Sequence, residues 1–360
     1  MPTVYASEGM KAKGRPTPRD RYPESLSIII PVFNEQAVFP RLFSRLKELL
    51  SRLPMRVEVI FVNDGSLDSS LELLIEASKS DSRIRIIDLS RNFGHQIAIS
   101  AGLDYCAGEA AVIMDADLQD PPEMILDMVE LWRAGWDIVY GRRADRLGES
   151  RFKSLTARIF YWLLNRIAEV EIPADVGDFR LVDRRVIRAF RRMPERDRFV
   201  RGMFAWLGFR QCAVNFARQP RAAGLTKYPF PKMFVLALDA ALSFSDAPLR
   251  VIVRVGLFVS ILAIVGGLVA AVLRAIGVPM AQGWTSLMVV ITFLMGVNFL
   301  LIGIVALYVG RIYEEVKGRP LYLVREHYTS AGSTDDGVRN RTSETTLIAR
   351  ELTHEEEGSD

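Results

Sequence analysis

The first part of the chain alternates between two apolar periods. Continuous apolar runs of strand length occur at 26–32 (LSIIIPV), 57–62 (VEVIFV), 84–89 (IRIIDL) and 110–114 (AAVIM), and a fifth lies at 137–140. Helical patterns fill the intervals at about 36–53, 68–79, 95–106 and 121–134. Uninterrupted apolar strands alternating with helices predict a mostly parallel α/β sheet covered on both faces.

Later the pattern changes. Val255 to Leu273 carries no charge, and neither does Ala275 to Gly310, whose densely apolar core runs over 285–309. About 20 residues at about 1.5 Å each cross the hydrocarbon of a bilayer, so two transmembrane helices are predicted. Trp284 and Tyr308 flank the second, where aromatic rings favour the interface. Before the pair, 232-KMFVLALDAALSFSDAPL-249 has one apolar helical face and reads as an interfacial helix. Arg250 and Arg254 precede the pair, Arg311, Lys317, Arg319 and Arg325 follow it, and the connecting loop has Arg274 alone. The positive-inside rule then makes this a multi-pass protein of the cytoplasmic membrane, with its large N-terminal region and both termini cytoplasmic.

The expected organisation is a disordered basic lead (1–24) and an α/β domain (25–230). The interfacial helix (231–249), a membrane hairpin (250–310), a juxtamembrane segment (311–328) and a disordered tail (329–360) follow. The lead has no apolar core of the kind a signal peptide carries.

Composition narrows the function. A formal charge of +3 gives no sign of nucleic-acid binding. Cys106 and Cys212 match no metal spacing and point to a reducing compartment, and His95, His327 and His354 show no ligand spacing. G-x-G-x-x-G and G-x-x-x-x-G-K-[ST] are absent, which excludes the usual dinucleotide and P-loop signatures.

Each apolar run nevertheless ends in polar residues: Asn34-Glu35, Asn63-Asp64, Arg91-Asn92, Asp115 with Asp117, and Arg142-Arg143. Open α/β sheets bind ligands beyond the carboxyl ends of their strands. In 110-AAVIMDADLQDPPEMI-125, an extended backbone past Met114 would turn Asp115, Asp117 and Gln119 to one face. Two carboxylates and an amide oxygen suit a hard divalent cation, Mg2+ or Mn2+, sharing its shell with substrate phosphates. Asp120-Pro-Pro-Glu123 reads as an N-cap, prolines in the first turn and a capping-box acid.

Seven stretches in order carry a resemblance: 28-IIIPVFNE-35, 62-VNDGSLD-68, 90-SRNFGHQIA-98, 114-MDADLQDPPE-123, 177-GDFRLVDRR-185, 194-PERDRFVRG-202 and 221-RAAGLTKY-228. With the two apolar spans behind them, the chain resembles the family-two glycosyltransferases of the GT-A, Rossmann-like fold over about 25–325. Within these it resembles the polyprenyl-phosphate group, which includes dolichyl-phosphate mannose synthases and bactoprenol glucosyltransferases. The resemblance implies that Pro31, Phe33, Glu35 and Asp64 hold the base and ribose of a nucleotide-sugar donor. Asp115, Asp117 and Gln119 would be the metal site against the diphosphate, with Asp115 and Asp117 serving donor and catalysis together. Asp178 would stand where sugar and acceptor meet, orienting rather than extracting a proton, and held by Arg180. Arg196, Arg201, Arg221, Thr226 and Lys227 would surround the acceptor phosphate.

The implied reaction is inverting, metal-dependent transfer to a polyisoprenyl-phosphate lipid, with glucose from UDP-glucose and undecaprenyl phosphate as the favoured pair. Mannose from GDP-mannose, or another sugar, is the alternative. The group also implies a homo-oligomer, plausibly a tetramer. Processive polysaccharide synthases carry Q-x-x-R-W, which this chain lacks, and the intact acids argue against a catalytically inactive membrane scaffold.

Overall fold

Four apolar runs form the centre of the sheet. β1 (Ser25–Val32), β2 (Arg56–Asn63), β3 (Ile84–Leu89) and β4 (Ala110–Ile113) pair in parallel in the order β4-β1-β2-β3. The helices α1 (Phe39–Arg52), α2 (Ser70–Ser80), α3 (His95–Tyr105) and α4 (Met124–Arg133) follow these strands in turn. Leu26, Ile28 and Ile30 of β1 join one apolar cluster with Phe39 and Leu42 of α1 and Met128 and Trp132 of α4. On the opposite face α3 packs against β1 and β2. With both faces buried, the strands show no polar alternation. The strand order reverses between β1 and β4, so the crevice beyond their carboxyl ends is the topological switch point. The computed structural model describes residues 16–143, 176–216, 247–276, 283–330 and 332–334.

Further strands widen the sheet on both flanks. β5 (Ile138–Arg143), β6 (Val176–Asp183), β7 (Gln211–Phe216), β8 (Val324–Thr329) and β9 (Gly332–Thr334) give the order β7-β5-β6-β4-β1-β2-β3-β8-β9. β6 runs antiparallel to both β4 and β5, and β8 runs antiparallel to β3. The short helices α5 (Arg184–Arg191) and α6 (Val200–Trp206) follow β6.

Both ends of the chain depart from the expected boundaries. Residues 16–24, assigned above to a disordered lead, strap the amino-terminal edge of the sheet. Arg19 donates through its backbone N–H to Arg133 O, and its guanidinium pairs with Asp183 at 3.0 Å and Asp137 at 3.3 Å. Gly135 lies so close beneath the strap that a Cβ there would meet Thr17 O at 2.2 Å, and its φ of +102° suits glycine alone. Basic composition concealed this because the two carboxylates awaiting Arg19 belong to β6 and to the residue just before β5. Arg19→Met removes one of several partners of two buried carboxylates, since Asp137 keeps Arg185 and Arg210 and Asp183 keeps Arg185 and the Trp132 indole N–H; it is expected to cost about 1 kcal/mol, read as a lower thermal midpoint. An unchanged midpoint would mean that the strap contributes nothing to stability.

At the other end the juxtamembrane and tail assignments give way to strands. Val324–Thr329 pairs with β3, and Gly332–Thr334 pairs with β8. The sequence VREHYT has no apolar run because every residue of β8 is exposed or half-buried.

The long helices α7 (Ala247–Ala275) and α8 (Trp284–Val316) form a second unit. Among the described residues, one stretch is long and apolar enough to cross a membrane, Val289–Val316, and none of it is buried. Large apolar side chains such as Phe293 and Phe299 are about two-thirds exposed along it. The interfacial helix up to residue 246, Arg221, Thr226 and Lys227, and the tail beyond 334 lie outside the described residues.

Candidate active site

The loops leaving β1 and β2 brace one another. Pro31 is buried in β1, Phe33 is exposed beyond it, and Glu35 is half-buried. Asn34 takes a left-handed conformation (φ 56°). Its N–H donates to Ser66 Oγ at 3.0 Å, its Oδ1 accepts from Leu67 N–H at 2.8 Å, and Glu35 N–H donates to Ser70 Oγ at 3.0 Å. Asp64, buried after β2, accepts N–H bonds from Phe93 (2.7 Å) and Gly94 (2.9 Å). Burial pushes its carboxyl pKa up, and those two N–H donors and His95 only partly offset that rise. The turn they form needs Gly94 at φ +102°, and α3 begins directly after it with His95.

β4 and β6 bring two acids face to face. Their antiparallel register pairs Ile113 with Arg180, so continuing it two residues sets Asp115 opposite Asp178. His95 Nε2 lies 3.4 Å from Asp115 Oδ1 and 3.4 Å from Asp178 Oδ2. Arg201 of α6 closes on Asp178 with two bonds, Nε to Oδ1 at 2.8 Å and Nη2 to Oδ2 at 3.0 Å. Gln96 ties the group together: its Nε2 donates to Asp178 Oδ2 at 3.2 Å and its Oε1 accepts from Val200 N–H, the start of α6, at 2.9 Å.

Charge accounts for how these groups ionise. Burial would raise the Asp178 pKa, but Arg201 and His95 hold it well below the usual carboxylate range. Asp115 is pushed up, by burial first and then by the Asp178 and Asp117 carboxylates. Loss of hydration disfavours the His95 cation, yet the Asp178 hydrogen bond and both acids raise it to about 9. Two facing carboxylates thus titrate apart, a pattern found at working sites.

Several expectations change. The backbone does not stay extended past Met114: it turns over 116–117, Leu118 is left-handed (φ 57°), and Asp117 Oδ1 accepts from Gln119 N–H at 3.1 Å. This Asx-type turn replaces the strand alternation that would have aligned 115, 117 and 119. Asp120 is not the N-cap of α4. The prolines' carbonyls accept from Met124 and Ile125 in a tight first turn, the N-cap is Glu123, and Glu123 pairs with Arg45 of α1 at 3.0 Å. Arg180 makes no ion pair with Asp178; its guanidinium donates to Gly177 O and lies over the Phe204 ring, and burial lowers it to about 10. Arg201, assigned above to the acceptor phosphate, is the group that grips Asp178, while Arg196 lies between α5 and α6.

His95 and Gln96 were missed because histidines were judged by spacing along the chain. Their partners come from β4, β6 and α6, and the local signals were their position after a polar strand end and within 90-SRNFGHQIA-98. For a cation, Asp115 Oδ1 is buried without a hydrogen bond, and Asp117 and Gln119 add hard oxygens nearby in sequence. Among the described residues no three His, Cys, Asp or Glu side chains are arranged to hold a metal ion by themselves, so a hexacoordinate ion would keep positions for other ligands.

Sequence relatives place the chain in a family. Residues 27–191 match the model for glycosyl transferase family 2. The uncharacterized glycosyltransferase YkcC of Bacillus subtilis is 46% identical over 302 residues, covering 84% of this chain and 94% of its own. An SfII prophage-derived bactoprenol glucosyl transferase of Shigella flexneri is 38% identical over 303 residues, covering 84% and 98%. The chain, with its acids gathered at the switch point of a parallel-centred sheet, is a glycosyltransferase and belongs to glycosyl transferase family 2.

Proposed function

We propose that the chain transfers a sugar from a nucleotide-diphosphate donor to a polyisoprenyl phosphate, with UDP-glucose and undecaprenyl phosphate as donor and acceptor. The observation that carries this is the facing pair Asp115 and Asp178 at the switch point, with His95 and Arg201 between and beside them. The relative named bactoprenol glucosyl transferase supports the acceptor class and the sugar.

The chemistry is a single displacement with inversion. An acceptor phosphate oxygen bonds to the anomeric carbon as the bond to the nucleoside diphosphate breaks. A phosphate monoester has a second pKa of about 6 and is mostly dianionic at neutral pH, so no strong base is required. Asp178, kept ionised by Arg201, then serves to orient substrate. Arg196, Arg221 and Lys227 would offset the charge of the incoming phosphate, as arginine does bidentately, and the Thr226 hydroxyl would donate a hydrogen bond to it. Phe33, Glu35 and Asp64, beside Pro31, would face base and ribose. Asp115, Asp117 and Gln119 would hold Mg2+ or Mn2+, which supplies Lewis-acid charge to the departing diphosphate.

Sheet connectivity supports a two-span membrane anchor. β8 follows α8 in the chain and lies in the same sheet as the strands that precede α7. The chain therefore begins and ends the helical excursion on one side, so the number of crossings is even. If Val289–Val316 crosses, a second segment must cross with it, and α7 is of sufficient length. Basic residues at both flanks support a cytoplasmic side for it by the positive-inside rule.

The test uses the full chain in detergent with undecaprenyl phosphate, Mg2+ or Mn2+, and a panel of labelled nucleotide sugars. Label from one donor entering the organic phase, and lost with chelator, is the expected result. No lipid label from any donor, with the protein folded, would overturn the acceptor assignment.

A further inference from the structure

Asp88 is the buried charge that the chemistry above leaves unused. It lies in β3, fully shielded from solvent, beside Asn63 of β2 in the parallel register. Asn63 Nδ2 donates to Asp88 Oδ1 at 2.7 Å. Asp88 Oδ2 accepts no hydrogen bond, and the charge facing it is Arg325 Nη1 of β8 at 3.4 Å.

We propose that Asp88 is a positioning residue for the donor loops, clamped from β8 by Arg325; this rests on the reading that a nucleotide binds at the switch point. An ionised carboxylate only accepts, so it fixes which end of the Asn63 amide faces it. With Nδ2 turned to Asp88, Oδ1 faces the next loop and accepts from Ser66 N–H at 3.2 Å. Ser66 Oγ in turn accepts from Asn34 N–H, and Asn34 Oδ1 accepts from Leu67 N–H. One buried acceptor therefore sets an unbroken relay to the left-handed turn between Phe33 and Glu35.

The clamp is built by a local irregularity. Asp88 pairs with Glu326 but Leu89 pairs with Val324, so Arg325 is the extra residue of a bulge. Bulges re-aim side chains, and here the guanidinium also donates to Ser90 O at 2.8 Å. The strand that follows the last long helix thus completes the support of the donor loops. Tyr322 adds a second tie, donating to Asp104 Oδ2 of α3 at 2.9 Å.

The experiment measures donor KM and kcat for the full chain, with UDP binding followed by calorimetry in Mg2+. Asp88→Asn keeps the volume but lets the Asn63 amide take either orientation. It is expected to raise donor KM and the UDP Kd about tenfold with kcat nearly unchanged. Arg325→Met, with its thermal midpoint read beside it because it takes the facing charge from Asp88, is expected to raise both about threefold in the folded protein, and the double variant no further than Asp88→Asn alone. Unchanged KM in both variants, or a fall in kcat at constant KM, would overturn the proposal. Wild-type protein binding neither UDP nor any other nucleoside diphosphate would overturn the nucleotide reading and the proposal with it.

Discussion

Asp115→Asn is expected to lower sugar transfer about 10^3-fold, the equivalent of about 4 kcal/mol at the transition state, and to leave the residue of activity insensitive to chelator. The environment of Asp115 disfavours its charge. Burial raises its pKa, and the Asp178 and Asp117 carboxylates raise it further. Its Oδ1 accepts no hydrogen bond, and the nearest positive group is His95 at 3.4 Å. A site of that kind is kept for a cation rather than for the fold. Removing the charge while keeping the shape therefore separates the two roles. The asparagine variant should fold as well as the parent or slightly better, because one of two facing carboxylates has gone. Single-turnover transfer with and without chelator, beside a thermal midpoint, reads both quantities. A variant retaining a tenth or more of the rate, or losing rate only in step with its midpoint, would defeat the assignment of Asp115 to the cation.

Much of this site was legible before any coordinates. The first four strands and four helices follow from apolar runs buried on both faces, where periodicity carries the information. The polar ends of those strands marked the switch point, because sheet topology alone dictates where they gather. What escaped lies where residues meet across long sequence separations. β6 holds Asp178, Arg180 and Asp183, too polar a strand to read as one. β8, the last strand but one of the sheet, has a half-polar sequence. Arg19 looked like part of a disordered lead until its buried partners were known. Arg201 takes the place by Asp178 expected of Arg180 because alternation along β6 turns both Asp178 and Arg180 to one face, yet only α6 delivers a guanidinium within reach of Asp178.

Asp178→Asn is expected to reduce kcat about 10^2-fold by nearly the same factor across pH 6 to 9. The reason is electrostatic. Burial opposes the Asp178 charge, but Arg201 and His95 hold its pKa well below the ordinary range, so it does not titrate over that interval. A depressed pKa contributes stability above the unfolded-state value of about 4, and that contribution is lost only as pH falls through the lower folded value. Asp178 is then a fixed anion and a poor proton acceptor, suited to aligning a nucleophile that is already ionised. Arg201→Met tests the same claim from the other side. It leaves a carboxylate of 3% side-chain exposure without its main partner, at a cost near 3 kcal/mol, the lower end for such a break because Arg201 itself is 36% exposed. In that variant the acid limb of the pH–rate profile moves toward neutrality, since Asp178 now takes up a proton more readily. Combining the two changes should restore part of the lost stability, because no unpaired charge remains buried. If instead the loss in Asp178→Asn grows in step with deprotonation of one group whose pKa lies well above 6, Asp178 removes a proton. The ion pair with Arg201 would then tune a base rather than hold an orienting anion.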